Sequence, residues 1–317
     1  MMNPLTRRKF LQATATGAAG LGIGAELAPA ATPSLLIIDT HTHFYNPARP
    51  QGVPWPAKDD SSLFRTVLPK DYRAQPTPQS VFATVVVEAS PWVEDNQWIL
   101  DLATKDRFIV GHVGNLPVGT DDFAGHLQRF VANPILRGLR ISHSSLQAGL
   151  ARPRYLADLA LLVKHDLELD VNGGPEMLTD VARLARELPG LRIVINHLAN
   201  VKIDGQAPPA AWRRDLEAAA RHKNVFLKVS ALVEGTGKLD GTAPREVKFY
   251  EPTLDAAWET FGADRLIYGS NWPVSERFAS LATVQGIVTD YFTTKGQAAL
   301  TKFFSRNAQA AYKWVRR

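Results

Sequence analysis

Ile37-Ile38-Asp39-Thr40-His41-Thr42-His43 is an apolar run that ends in alternating polar residues. Ser34 to Ile38 predicts a buried β-strand. Side chains alternate along a strand, so Asp39, His41 and His43 are expected on one side. Two imidazoles on one side, at the C-terminal end of a strand, point to a metal or acid/base site. The plainer alternative is a pair of satisfied core histidines.

Seven more apolar runs follow, most separated by a helical pattern. The strands are predicted at Phe82 to Glu88, Phe108 to Leu116, Leu136 to Ser142, Leu167 to Asn172, Leu191 to His197, Val225 to Leu232 and Arg265 to Trp272. The helices are predicted at Asn96 to Lys105, Asp122 to Ala132, Arg154 to His165, Pro175 to Leu188, Pro209 to His222 and Arg245 to Phe261, with more helix through Trp314. Eight strands alternating with helices predict an α/β fold with a parallel sheet and crossover connections. The count and the size fit closure into a single-domain (β/α)8 TIM barrel. An open doubly wound sheet is the alternative. No Gly-rich dinucleotide or P-loop pattern stands at a strand-to-helix junction, which counts against that alternative and against nucleotide cofactors. Phe44 to Gln75 is a long irregular segment with five prolines, and its place directly after His43 suits a lid.

The chain has 317 residues, 45% hydrophobic and 21% charged, which is ordinary globular composition. The formal net charge of +5 is spread along the chain. No basic block suggests nucleic acid, and the charge reads as a solvated surface. The absence of cysteine excludes disulfides, thiolate ligands and a cysteine nucleophile. Thr6-Arg7-Arg8-Lys9-Phe10-Leu11, a mild Ala/Gly-rich segment and Ala28-Pro29-Ala30 follow the order of a twin-arginine export signal. Residues 1–30 are expected to be that signal and 31–317 the barrel, exported to the periplasm or beyond. The segment contains Gln12, Thr14, Thr16 and Glu26, so it makes a poor stable membrane span.

In a barrel the active site lies at the C-terminal strand ends. The polar residues there are His41, His43, Glu88, Asn115, Arg140, Asp170, Asn172, His197, Lys228, Ser230, Ser270 and Asn271. In the fifth strand Leu167, Leu169 and Val171 are expected toward the helices, with Glu168, Asp170 and Asn172 in the lumen. In the seventh, Val225, Leu227 and Val229 are expected outward, with Lys228 and Ser230 inward. A buried Lys228 needs a carboxylate, which Asp170 or Glu88 could supply. That structural pairing is weighed equally with a substrate-binding role. Three strand-end imidazoles, His41, His43 and His197, can hold a divalent ion with an open position for water. His112, inside the third strand, reads as a core residue.

The stretch Asp39-Thr40-His41-Thr42-His43-Phe44 resembles the first-strand signature of the amidohydrolase superfamily. Val85-Val86-Val87-Glu88-Ala89, Leu136-Arg137-Gly138-Leu139-Arg140, Val194-Ile195-Asn196-His197-Leu198, Lys228-Val229-Ser230-Ala231-Leu232 and Tyr268-Gly269-Ser270-Asn271-Trp272-Pro273 extend it in order along the chain. Together they resemble the amidohydrolase-related (amidohydrolase 2) family, TIM-barrel hydrolases that include sugar-acid lactonases and a pyrone-dicarboxylate lactonase. The resemblance implies that His41, His43 and His197 are active-site histidines, and the ligands if a divalent ion such as zinc is bound. Some relatives work without metal. Arg140 matches a position that binds a substrate carboxylate or carbonyl, and Asn172, Lys228 and Trp272 complete the expected substrate-binding set. The family usually has aspartate, a metal ligand or base, where this chain has Asn271, and likewise at Asn196. An amide cannot accept a proton near neutral pH. Glu88 is therefore expected to supply the carboxylate missing at Asn271, with Asp170 next in line.

Three functions are compatible with these residues. The first is hydrolysis of a lactone or related cyclic ester of a small sugar acid or carboxylate. The second is a binding protein for a small carboxylate or sugar on an enzyme scaffold. The third is a decarboxylase, ranked last. Each takes a small molecule as partner.

Overall fold

A computed structural model describes residues 35–317, so the expected export signal lies outside the described residues. Eight strands form one parallel sheet in consecutive order. They are β1 Ile38–Thr42, β2 Ala83–Val87, β3 Ile109–Gly114, β4 Leu136–Ser142, β5 Glu168–Asn172, β6 Arg192–Ile195, β7 Val225–Val229 and β8 Leu266–Tyr268. A parallel bridge between Thr42 and Trp272, with His43 N donating to Trp272 O at 2.9 Å, joins the last strand end to the first. The sheet is therefore a barrel, not the open alternative.

The two-residue alternation decides which side chains face in. Leu169 and Val171 of β5, and Val225, Leu227 and Val229 of β7, join the helix-facing core, as the pattern predicts. Glu168, Asp170 and Lys228 turn into the lumen and are fully buried. A segment after Asn307–Tyr312 crosses the opposite end: Val315 N donates to Val110 O, and Tyr312 donates to Asp170 Oδ1 at 2.7 Å. Among the described residues no helix is long and apolar enough to cross a membrane.

β1 departs from expectation in two ways. It runs four residues later than the apolar run suggests, so the histidine motif lies in the strand itself. Its register against β2 also shifts between Asp39 and Thr42. Such a bulge breaks alternation, so Asp39 does not share a side with the histidines. Its carboxylate accepts from His41 N at 3.0 Å, Ser270 N at 2.9 Å and the Tyr72 hydroxyl at 2.8 Å. Asp39 thus clamps the bulge to the end of β8. Gly269 permits this close approach, since a Cβ there would lie 2.7 Å from the His41 Cβ.

Candidate active site

His41, His43 and His197 converge. The His41 ring lies 4.4 Å from that of His197 and 5.0 Å from that of His43, centroid to centroid. β1 supplies the first, and the residues leaving β1 and β6 supply the others. His197 opens a run of left-handed backbone, with φ of 56°, 52°, 56° and 46° through Asn200. Asn271 is also left-handed, at φ 57°. Non-glycine residues adopt this conformation at a cost of about 1–3 kcal/mol each, and such strain clusters at functional sites.

The cavity above them measures about 300 Å³ and is lined by His43, Trp55, Glu88, Arg140, His197 and Asn271, with Ser90 and Asn115 at its side. That volume sits at the small end of ligand sites. Trp55 comes from the long segment after His43, which therefore covers the site as its position suggested. An adjoining recess shares Glu88, Asn115 and Arg140, and adds Ser142, Ser145 and Asn172. Asn172 thus faces the recess rather than the histidines.

Glu88 is the one carboxylate lining the cavity among the described residues. Its Oε1 accepts from Arg140 Nε at 2.7 Å, its Oε2 accepts from Ser90 N at 2.8 Å, and Arg140 Nη2 donates to its backbone oxygen at 2.8 Å. A two-point hold of this kind fixes the guanidinium plane. The cavity therefore presents a carboxylate and a cation side by side.

Two members of the expected substrate-binding set do not reach the cavity. Lys228 is fully buried beneath the histidines. Its ammonium donates to Asp170 Oδ2 at 2.8 Å, Thr40 O at 3.0 Å and His41 Nδ1 at 3.1 Å, using all three protons. Its carboxylate partner is Asp170, not Glu88. Trp272 is also fully buried, edge-on to Tyr72, with its indole N–H on Glu276 Oε1 at 2.6 Å. For Lys228 this is the structural pairing that was weighed equally with substrate binding; for Trp272 the strand-end position was legible, but its depth was not. His112 is the core residue it was expected to be, bonded to Asn96 and Val86 O.

The histidines are neutral. Burial, then the Arg140 charge, pushes His43 down to about 3, and burial with the Lys228 charge holds His41 and His197 well below the usual range. Their tautomers follow from their partners. A carbonyl only accepts, so His43 Nδ1 carries the proton it gives Val87 O at 3.0 Å, and Nε2 is a lone pair. His41 is the reverse: Nδ1 accepts from Lys228, so Nε2 carries the proton. His197 Nδ1 meets Ser230 Oγ at 2.7 Å.

This donor set does not fit the divalent ion that the resemblance allows. With Nδ1 accepting from Lys228, His41 Nε2 carries a proton and not a ligand lone pair. Asn271 offers an amide in place of a carboxylate, and the charges that act on the rings are the cations Lys228 and Arg140. Among the described residues no group of three His, Cys, Asp or Glu side chains, the clustered histidines included, has the arrangement to hold a metal ion.

A residue missed by sequence reasoning completes the site. Glu234 lies on the short turn Glu234–Thr236 after β7, and its Oε1 accepts from Asn271 Nδ2 at 2.8 Å. The other end of that amide lies 3.3 Å from His43 Nε2. Burial raises Glu234 to about 7. An acid directly following the apolar Ala231-Leu232-Val233 was the available signal.

A barrel with its histidines, carboxylate and cation gathered at the C-terminal strand ends defines a hydrolase-type site. The chain belongs to the amidohydrolase family, whose model matches residues 38–314. Among its relatives is the L-fucono-1,5-lactonase of Burkholderia ambifaria, 32% identical over 244 residues that cover 75% of this chain and 80% of that protein. The L-fucono-1,5-lactonase of Burkholderia multivorans is 27% identical over 83% of this chain and 91% of that protein. A crystal structure of an amidohydrolase from Burkholderia multivorans with bound zinc superposes with a TM-score of 0.77 at 25% identity, covering 88% of this chain and 99% of that one.

Proposed function

We propose that this protein hydrolyses a sugar-acid lactone, of the 1,5 type that its 32%-identical relative is named for. The observation that carries the reading is the Glu88–Arg140 pair facing neutral His43 and Asn271 across one small cavity. Ester hydrolysis needs a donor for the carbonyl oxygen, a held water and a proton acceptor. Arg140 is the donor, and its third nitrogen, Nη1, has no protein partner among the described residues. The lone pair of His43 Nε2 anchors the water. Glu88 takes the proton as water oxygen bonds to the carbonyl carbon. The proton then passes to the ring oxygen as the acyl–oxygen bond breaks, leaving the open hydroxy acid. Ser90 and Asn115 suit the hydroxyls, and Trp55 the apolar face, of a sugar ring.

The donor set favours a reaction carried by the chain's own residues, with no resident divalent ion. The experiment is a turnover screen on five- and six-membered sugar-acid lactones, followed by titration of released acid. Hydrolysis of at least one six-membered lactone above the spontaneous rate is the expected result. Tight binding of lactones or sugar acids without any turnover would replace the enzyme by a binding protein.

A further inference from the structure

The chain His43–Asn271–Glu234 contains a conflict of hydrogen-bonding roles. His43 Nε2 is a lone pair, because its Nδ1 proton goes to Val87 O. The Asn271 amide turns its Nδ2 to Glu234 and its Oδ1 to His43 Nε2 at 3.3 Å. Two acceptors then face each other. Asparagine oxygen and nitrogen are assigned by their partners, and turning the amide over exchanges them.

Two arrangements are self-consistent. With Glu234 ionised, its carboxylate accepts from Asn271 Nδ2. The amide oxygen and His43 Nε2 then stand together at the cavity wall as acceptors, and a water from the cavity can donate to them. With Glu234 protonated, its hydroxyl donates to the amide oxygen and the amide N–H donates to His43 Nε2. The facing atoms of Glu234, Asn271 and His43 are then paired donor to acceptor, and the histidine lone pair is capped.

We propose that Glu234 is a positioning residue of this site, whose carboxylate holds the Asn271 amide oxygen-first toward His43 and so keeps the water-binding lone pair open. The proposal rests on the lactonase reading for what the water does, but the amide's orientation does not depend on it. Glu234 is suited to the task by its surroundings. Its second oxygen, Oε2, is buried without a protein partner. Asn271 faces it from the end of β8, Arg277 from the turn beyond, and Tyr250 from the helix Val247–Phe261. The Asn271 bond and the Arg277 charge favour the ionised form, burial opposes it more strongly, and the balance raises the acid to about 7. The ionised, water-holding arrangement therefore prevails above that pH and the capped one below it.

The test has an activity arm and a spectroscopic arm. On a hydrolysed lactone, kcat/KM of the native protein should rise about tenfold between pH 6 and 8, as expected for a single group titrating midway. Glu234→Gln cannot ionise and should be flat over that range to within about twofold, its amide pairing being the same at every pH. In the ligand-free native protein, ¹⁵N-histidine spectra should show His43 Nε2 passing from capped to uncapped with the same midpoint, while the ring stays neutral. A pH step that persists in Glu234→Gln, or a His43 Nε2 signal that does not move between pH 6 and 8, overturns the proposal. If the native protein hydrolyses no lactone, the lactonase reading fails, and the His43 signal still decides the role of Glu234. The spectroscopic arm needs no variant, so misfolding of Glu234→Gln does not remove the test.

Discussion

Glu88→Gln is expected to lower kcat on a hydrolysed lactone by about 10²–10⁴-fold, the usual cost of losing a general base. Glu88 is the cavity's carboxylate, and the sequence already marked it as the residue able to replace the acid absent at Asn271. Glutamine has the same shape and can still accept from Arg140 Nε. It then turns its NH2 toward Ser90 N, which loses its acceptor. One such hydrogen bond is worth about 0.5–1.5 kcal/mol. At about 2–4 °C per kcal/mol for a domain of this general size, the thermal midpoint falls by only a few degrees. If Glu88 only orients Arg140, a glutamine that keeps the Nε contact should retain most of the rate. A loss of less than about tenfold would therefore assign the proton to another group.

Lys228→Met is expected to act on stability instead. Lys228 and Asp170 are both fully buried and 2.8 Å apart. Removing the ammonium leaves Asp170 with the Tyr312 hydroxyl alone, and strips a donor from Thr40 O and His41 Nδ1. Breaking a buried ion pair by deleting one partner costs about 3–5 kcal/mol. That corresponds to a fall of about 6–20 °C in the thermal midpoint. Lys228→Met with Asp170→Asn should recover part of the loss, because no uncompensated charge is then buried. A substrate-binding lysine would behave differently: KM would rise and the midpoint would hold. Thermal melts of the two variants beside KM measurements separate these cases.

The Lys228 result bears on how much of the molecule could be read from its residues. Alternation in β5 and β7 correctly assigned the lumen and helix faces, because both strands keep an unbroken period of two. β1 could not be read this way, since its bulge depends on Asp39 meeting Ser270 and Tyr72, partners 231 and 33 residues away. The three histidines and Glu88 were legible because strand-end polar residues in a barrel share one rim. Depth below that rim was not legible for Trp272, which was expected in contact with substrate and lies under the rim; for Lys228 the pattern left burial against Asp170 and substrate contact equally open, and the structure has the former. Glu234 was missed for a related reason. It follows β7 by several residues, in a segment with no period, and only burial against Asn271 distinguishes it from a surface acid. The neutral state of the histidines is likewise a property of enclosure and of the neighbouring Lys228 and Arg140 charges.

On the proposed function, Arg140, Glu88 and a neutral His43 suffice for lactone hydrolysis. The most direct test is turnover of a six-membered sugar-acid lactone by protein dialysed against a strong chelator, with elemental analysis of the same sample. The metal-depleted protein is expected to keep its rate to within about twofold and to gain nothing from added zinc, since His41 presents a proton where a ligand lone pair is required. Loss of turnover on depletion, restored by stoichiometric zinc, would contradict it.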